Sequence, residues 1–268
     1  MYKRQAFIKG LQGNHPKYYK VLSAPKHFVA NNEEYRRHSG SSEVPLKILR
    51  DYYLPAFRSS IVDAGAQSIM TAYNALNGVP CTANEFLLKD ILRKEWKFPG
   101  WVVTDCGAIY DIHINHKYVD DPVEAAAISL KAGTDLNCGS YFRLYLKEAY
   151  ERGLVTMNDI DQALIRLFAS RVKLGVFDPP ELNPYSKIPR DVVDSESHQE
   201  LALEIARQSI VLLKNQKNML PLKKSVESVA VIGPNANFCR FGTYSGKPSI
   251  EITPVSYTHL RAHETPAN

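Results

Sequence analysis

The chain has 268 residues, of which 44% are hydrophobic and 23% are charged, and its formal net charge is +5. This composition is typical of a globular protein, and no apolar run reaches the ~20 residues that a membrane span requires. Basic residues are scattered among acidic ones, which disfavours binding to nucleic acid or to a membrane surface. Four cysteines in 268 residues are too few for a disulfide-rich miniprotein. Because they lack metal-type spacing, we expect no structural metal, and we expect no cofactor.

The two ends of the chain resemble translated sequencing-adapter DNA. Residues 1–5 read MYKRQ, and residues 255–268 read VSYTHLRAHETPAN. Such segments are left out of reasoning about a fold. We therefore predict non-native ends at 1–5 and 255–268 around an internal piece of a longer protein.

Strands and helices are predicted to alternate between residues 24 and 174. The predicted strands are 24–31, 66–74, 101–104 and 134–137, and the predicted helices are 43–62, 84–96, 121–132, 142–152 and 159–174. A strand and a helix about every 30 residues are typical of βα units around a parallel sheet. Four such units fit half of a (β/α)8 barrel or one side of a doubly wound sheet. Because no Gly-x-Gly-x-x-Gly turn is present, a dinucleotide site is disfavoured.

The composition changes after residue 176. A proline-rich linker is predicted over 177–197. A helix over 198–213 and a buried strand at 229–233 (VAVIG) then indicate the start of a second α/β domain over 198–254. That strand has no sheet to join within the chain, and a strand alone is poorly stable.

Several polar side chains lie in or directly after the predicted strands. Asp105 follows WVVT and precedes a turn of small residues, Lys26 and His27 lie in the first strand, Tyr73 ends the second and Asp135 lies in the fourth. In a parallel α/β barrel, reacting groups come from the carboxyl ends of the strands. From position alone, Asp105 could equally be a helix cap and His27 a hydrogen-bonded core histidine. A lysine in an apolar strand needs a partner or a cavity.

The motifs that contain these residues occur in a specific order. They are KHF at 26–28, MTAYN at 70–74, NGVP at 77–80, GWVVTDCGA at 100–108 and AGTDLN at 132–137. Together with SIVLLKNQKNMLPL at 209–222 and VAVIGPN at 229–235, the ordered set resembles glycoside hydrolase family 3, which contains β-glucosidases and β-xylosidases. The resemblance covers residues 14–254. It implies an α/β fold, namely the C-terminal half of a (β/α)8 TIM-like barrel over 6–176 followed by the start of an α/β sandwich domain.

The resemblance also assigns roles to residues. Asp105 matches the catalytic nucleophile, a task that suits an ionised carboxylate able to form a covalent glycosyl ester. Lys26 and His27 match the pair that hydrogen-bonds the hydroxyls of the sugar being removed, and Met70 and Tyr73 match residues that line the same subsite. The implied reaction is a retaining, exo-acting removal of terminal β-D-xylosyl residues from xylo-oligosaccharides.

A retaining glycosidase needs a second carboxyl group as general acid/base. In the family this is a glutamate of the second domain, downstream of residue 268, so we expect the chain as given to be inactive. Family habit implies that the full-length protein is secreted or periplasmic. The sequence does not indicate an oligomeric state.

Two of the cysteines concern which sugar is preferred. Cys106 follows Asp105 where glucosidase members commonly carry tryptophan, and Cys138 ends the next strand, ~4.8 Å away in a parallel sheet. Xylosidase-like members often have this pair, and a disulfide there would crowd a hydroxymethyl group and favour pentoses. Two unpaired thiols remain the alternative. The alternative functions are a β-glucosidase, a non-catalytic carbohydrate-binding remnant, and an aldolase that uses Lys26 as a Schiff base.

Overall fold

The computed structural model describes residues 2–223, 225–246, 248 and 250–261. Residue 1 and residues 262–268 of the predicted non-native ends therefore lie outside the described residues. The chain divides into two units, Met1–Lys187 and Ile188–Asn268, and the boundary falls inside the predicted linker. Within the described ranges, no helix is both long and apolar enough to cross a membrane.

The first unit alternates helices with short strands. Its strands are β1 (Ser41–Ser42), β2 (Ser68–Met70), β3 (Ala75–Leu76), β4 (Val79–Pro80) and β5 (Trp101–Val103). Its helices are α1 (Tyr2–Gln12), α2 (46–63), α3 (Phe86–Glu95), α4 (Ala108–Ile114), α5 (Pro122–Ala132), α6 (Tyr141–Glu151) and α7 (Met157–Lys173), with single turns at Cys81–Ala83, Pro180–Leu182 and Pro184–Lys187. Helix α2 runs through Pro55 and has wider π-type turns at Leu49–Tyr53 and Ser59–Asp63. Pro55 itself cannot donate a helical hydrogen bond.

Four parallel segments lie side by side in chain order. Strands β2 and β5 pair in parallel with Met70 opposite Val103, and single parallel bridges join Phe28 to Thr71 and Leu136 to Val103. The α/β class is therefore confirmed. The predicted strands 24–31 and 134–137 are wrong in extent, since each is reduced to a single bridge. Pro25 has no N–H to donate, and the N–H groups of residues 135 and 136 both donate to the carbonyl oxygen of Val102, which interrupts a regular ladder.

A small second sheet lies beside these segments. Strands β3 and β4 form an antiparallel hairpin, and β1 pairs in parallel with β3. The hairpin turns at Asn77 and Gly78, both with positive φ (50° and 81°), as a two-residue turn of this kind requires. The Asn77 side chain also accepts from the N–H of Val44 and donates to its carbonyl oxygen. This sheet holds the loop 31–40 in place at one end.

The main core of the first unit lies between the parallel segments and helices α2 and α3. Its largest fully buried side chains include Phe28, Leu49, Ile69, Leu87, Leu88, Ile91, Leu92 and Val102. Strand β5 approaches β2 closely at Gly100, where a Cβ atom would lie 2.0 Å from the carbonyl oxygen of Gln67. Only glycine fits there, and the resulting close packing fixes the end of β5 and the residues that follow it. A second apolar cluster lies between α5, α6 and α7.

The second unit contains helices α8 (Glu196–Ser209) and α9 (Pro254–Arg261) and single turns at Arg190–Val192 and Gln216–Asn218. The prediction of a buried strand at 229–233 is wrong, since this segment has no strand hydrogen bonding and Ile232 is 91% exposed. Helix α8 ends four residues earlier than predicted, and the apolar residues 210–213 that follow it are exposed. An apolar strand is stable only where a neighbouring strand and a covering layer are present.

Candidate active site

Asp105 lies where β5 ends and the chain turns into α4. Gly107 makes this turn with a left-handed backbone (φ 83°). The Asp105 side chain is 10% exposed, and its Oδ2 lies 3.1 Å from Nε2 of His27. Its Oδ1 accepts a hydrogen bond of 2.8 Å from the N–H of Cys106. The carboxylate is thus buried, held at both oxygens and placed at the carboxyl end of a parallel strand.

His27 reaches Asp105 because its segment runs along β2. The N–H of Phe28 donates to the carbonyl oxygen of Met70 at 2.8 Å, which fixes the position of the preceding residue. Burial lowers the pKa of His27 below its usual value, and the positive charge of Lys26 lowers it further, while Asp105 only partly opposes this. The neutral imidazole at neutral pH can donate its Nε2–H to the carboxylate.

Tyr73 lies on the other side of the same turn. Its hydroxyl donates a 2.8 Å hydrogen bond to the carbonyl oxygen of Cys106. Burial and then the negative charge of Asp105 raise the pKa of Tyr73 to about 12. The hydroxyl therefore stays protonated at neutral pH and is a donor beside the carboxylate.

Met70 and Lys26 are the two remaining predicted site residues. Met70 is half-buried at the end of β2, on the strand face opposite the core residue Ile69. Lys26 lines a cavity of about 510 Å³ whose wall also contains Phe57 and Lys3. The lining of this cavity does not include Asp105, and Lys3 belongs to a predicted non-native end. We therefore place the candidate site at Asp105 rather than in this cavity.

A disulfide bond lies directly beside Asp105. Cys106 and Cys138 are joined, with their Cα atoms 4.5 Å apart. The N–H of Gly107 donates to the carbonyl oxygen of Cys138, and the N–H of Cys138 donates to Oγ1 of Thr104. One covalent bond and two hydrogen bonds thus fasten the turn after β5 to the neighbouring segment.

Two residues that no sequence motif indicated lie close to Tyr73. His38 contacts the Tyr73 ring with ring centroids 4.4 Å apart, and its Nδ1 lies 2.8 Å from Oδ2 of Asp111. The two residues are 73 positions apart, so no spacing rule connects them. Asp111 lies one helical turn after Gly107, and this position in the first turn of α4 is the signal that could have drawn attention to it.

Asp135 has a different environment from the candidate site. Its buried carboxylate is bound by the guanidinium groups of Arg93 (2.8 Å) and Arg166 (2.7 Å) and accepts from the N–H of Val102. These contacts tie the segment after α5 to β5, α3 and α7, which is a structural role. In the part of the chain that the structure describes, no three His, Cys, Asp or Glu side chains come together as a metal site would require.

Two family models match the chain. The N-terminal domain of glycosyl hydrolase family 3 matches residues 4–169, and the C-terminal domain of the same family matches residues 210–265. The first match covers more than half of the chain. The family that the ordered motifs predicted is therefore confirmed.

Curated proteins with similar sequences carry xylosidase names. A "probable exo-1,4-beta-xylosidase" of Neosartorya fischeri is 47% identical over 251 residues, which are 90% of this chain and 32% of that protein. A "xylan 1,4-beta-xylosidase" of Xylanibacter ruminicola is 40% identical over 92% of this chain and 29% of its own length. The chain thus spans about a third of the length of these relatives.

Solved structures show the same relationship. A family 3 exo-beta-xylosidase in complex with a xylobiose aziridine activity-based probe has a TM-score of 0.90 and 37% identity, over 96% of this chain and 34% of its own. A β-glucosidase from Erythrobacter marinus has a TM-score of 0.86 and 32% identity, over 97% and 35%. With the fold, the ordered motifs and the family models in agreement, the chain belongs to glycosyl hydrolase family 3.

Proposed function

We propose that this chain is part of a retaining exo-acting β-D-xylosidase in which Asp105 is the nucleophile. The observation that carries the proposal is the buried Asp105 carboxylate, with one oxygen held by the N–H of Cys106 and the other facing His27. A carboxylate held in a fixed position at the end of a parallel strand is suited to attack on a sugar carbon. Lys26, His27, Met70 and Tyr73 bind the sugar around it.

The reaction proceeds in two displacements. A carboxylate oxygen of Asp105 bonds to the anomeric carbon while the bond to the leaving oxygen breaks, and an acid protonates that oxygen. Water then attacks the anomeric carbon of the glycosyl ester, gives its proton to the same acid/base group and releases Asp105. We assign the acid/base role to a glutamate outside residues 1–268, so that the full-length protein is active and the present chain is not.

The disulfide bears on the choice of sugar. Cys106 directly follows the nucleophile and is joined to Cys138. In our proposal the bridge limits the space available to a hydroxymethyl group. A pentose lacks this group, which favours xylose over glucose. The xylosidase names of the relatives support the same choice, and the β-glucosidases among the similar structures make glucose the alternative.

We also propose a domain organisation for the chain and a location for the full-length protein. Residues 6–176 are part of a (β/α)8 catalytic domain, 198–254 begin a sandwich domain, and the ends 1–5 and 255–268 are non-native. The four parallel segments in chain order support the barrel assignment. A disulfide beside the site suits an oxidising compartment, which supports export of the full-length protein.

The test uses a full-length protein that contains this chain, with hydrolysis of p-nitrophenyl β-xyloside and β-glucoside as the readout. We expect Asp105→Asn to reduce turnover at least ~10³-fold, because an amide is a poor nucleophile. Asp90→Asn on the exposed face of α3 is the control and keeps full turnover. Turnover that survives in Asp105→Asn would overturn the assignment of the nucleophile.

The same assay separates the alternatives. A preference for the glucoside would replace the xylosidase proposal with a β-glucosidase. If the wild type hydrolyses neither substrate but binds xylose in calorimetry, the chain comes from a non-catalytic carbohydrate-binding protein. A double variant Cys106→Ser/Cys138→Ser tests the role of the bridge, and we expect its glucoside-to-xyloside ratio to rise.

A further inference from the structure

A buried carboxylate behind the candidate site has no part in the proposed mechanism. Asp111 lies on α4, and its side chain is only 4% exposed. Its Oδ2 is bound by Nδ1 of His38, and its Oδ1 accepts from the side-chain amide of Asn115. Burying a carboxylate is unfavourable because it loses its hydration, and hydrogen bonds from two donors offset that loss. We take this as a sign that Asp111 holds other groups in position.

The partner of Asp111 contacts a residue of the site. The His38 ring lies against the Tyr73 ring at 4.4 Å, and the guanidinium of Arg37 lies 5.1 Å from the centre of the same ring. Nε2 of His116 lies 2.8 Å from the carbonyl oxygen of Tyr73, and the N–H of His116 donates to the carbonyl oxygen of Asp111. Both the ring and the backbone of Tyr73 are thus connected to α4 and the turn that follows it.

The orientation of the Tyr73 ring sets the position of its hydroxyl. The hydroxyl donates to the carbonyl oxygen of Cys106, in the residue next to Asp105, and the charge of Asp105 acts on it. A ring that can tilt moves its hydroxyl more than any other of its atoms. Groups behind a contacting residue commonly fix its orientation in this way.

We propose that His38 and Asp111 are positioning residues that hold the ring of Tyr73, and through it the hydroxyl beside Asp105. Asp111 fixes the His38 ring by a hydrogen bond, and the His38 ring fixes the Tyr73 ring by contact. The consequence for catalysis rests on the proposed function, whereas the effect on Tyr73 does not.

The first experiment measures the position of Tyr73 directly in the 268-residue chain. Tyrosines are replaced by 3-fluorotyrosine, and the 19F resonance that is lost in Tyr73→Phe is assigned to Tyr73. We expect this resonance to shift and broaden in His38→Ala, and to shift less in Asp111→Asn, which keeps an acceptor for His38. His113→Ala is the control, because His113 lies on the same helix but contacts Tyr110 and Tyr141 instead. An unchanged Tyr73 resonance in His38→Ala overturns the proposal.

The second experiment measures catalysis in the full-length protein. We expect His38→Ala, assayed under conditions in which it is fully folded, to reduce kcat/KM for the β-xyloside about tenfold and to have almost no effect in a Tyr73→Phe background. Equal losses in both backgrounds show a general structural role and overturn the positioning role. A wild type without turnover refutes the proposed function instead, and the Tyr73 resonance then decides this inference alone.

Discussion

Two apolar segments of similar composition have opposite fates in the two units. Strand β5 in the first unit pairs with β2 on one side and is bridged by Leu136 on the other, and Val102 is fully buried. The segment 229–233 in the second unit lacks strand pairing, and Ile232 is almost fully exposed. An apolar segment with a strand-like sequence therefore forms a buried strand only where neighbouring strands and helices cover it.

The helices of the two units show the same contrast. In α3, Leu87, Leu88, Ile91 and Leu92 all lie in the main core. In α8, Leu201 and Ile205 occur at a helical spacing but are more than half exposed. Both tryptophans, Trp96 and Trp101, belong to the first unit, so tryptophan fluorescence reports the unfolding of that unit specifically.

The largest effect is expected at the buried ion cluster of the first unit. Asp135→Ala leaves Arg93 and Arg166 without their carboxylate, and we expect a loss of about 3–5 kcal/mol in the free energy of unfolding. Asp90→Ala removes an exposed pair with Lys94 from α3 and serves as the control, with little change expected. Urea unfolding followed by tryptophan fluorescence measures both. Equal losses would show that burial does not set the strength of these ion pairs.

A matched pair of leucines tests the contrast between the helices. Leu88→Ala in α3 creates a cavity in the main core and is expected to cost about 3 kcal/mol, within the range for buried leucines. Leu201→Ala in α8 removes an exposed side chain and is expected to change the same transition by less than about 0.5 kcal/mol. The same fluorescence assay reports both variants. A large effect of Leu201→Ala on the first unit would contradict the division into two units.

The smallest effect is a pH dependence that belongs to the candidate site. Burial lowers the pKa of His27 in the folded state, so the unfolded chain binds more protons as the pH falls below about 6.5. Stability is therefore full above that pH and decreases as the pH is lowered through it. We expect His27→Gln to lose less stability than the wild type between pH 7.5 and 5.5. The exposed His198 of α8 is the control, and His198→Gln should follow the wild-type profile.

The candidate site was predictable only in part. Asp105, His27 and Tyr73 could be predicted because each lies in or directly after a predicted strand of a βα unit, and parallel strands bring their carboxyl ends together. The pairing of His38 with Asp111 could not be predicted from the sequence, because one lies on a loop and the other on a helix, 73 residues apart. Their contact depends on the placement of the loop 31–40, whose end is held at β3 by a hydrogen bond from the N–H of Ala75 to the carbonyl oxygen of Gly40. Local sequence does not encode this long-range placement.

The order of apolar segments and turn residues was enough to establish the α/β class and the family, because periodicity and short motifs are local properties of the chain. Whether an apolar segment becomes a buried strand depended on partners distant in sequence, as β5 and the segment 229–233 show. The position of each side chain around Asp105 likewise depended on packing between remote segments. Burial and nearby charges come from those tertiary neighbours, so only the folded structure indicates that the pKa of His27 is lowered and that of Tyr73 is raised.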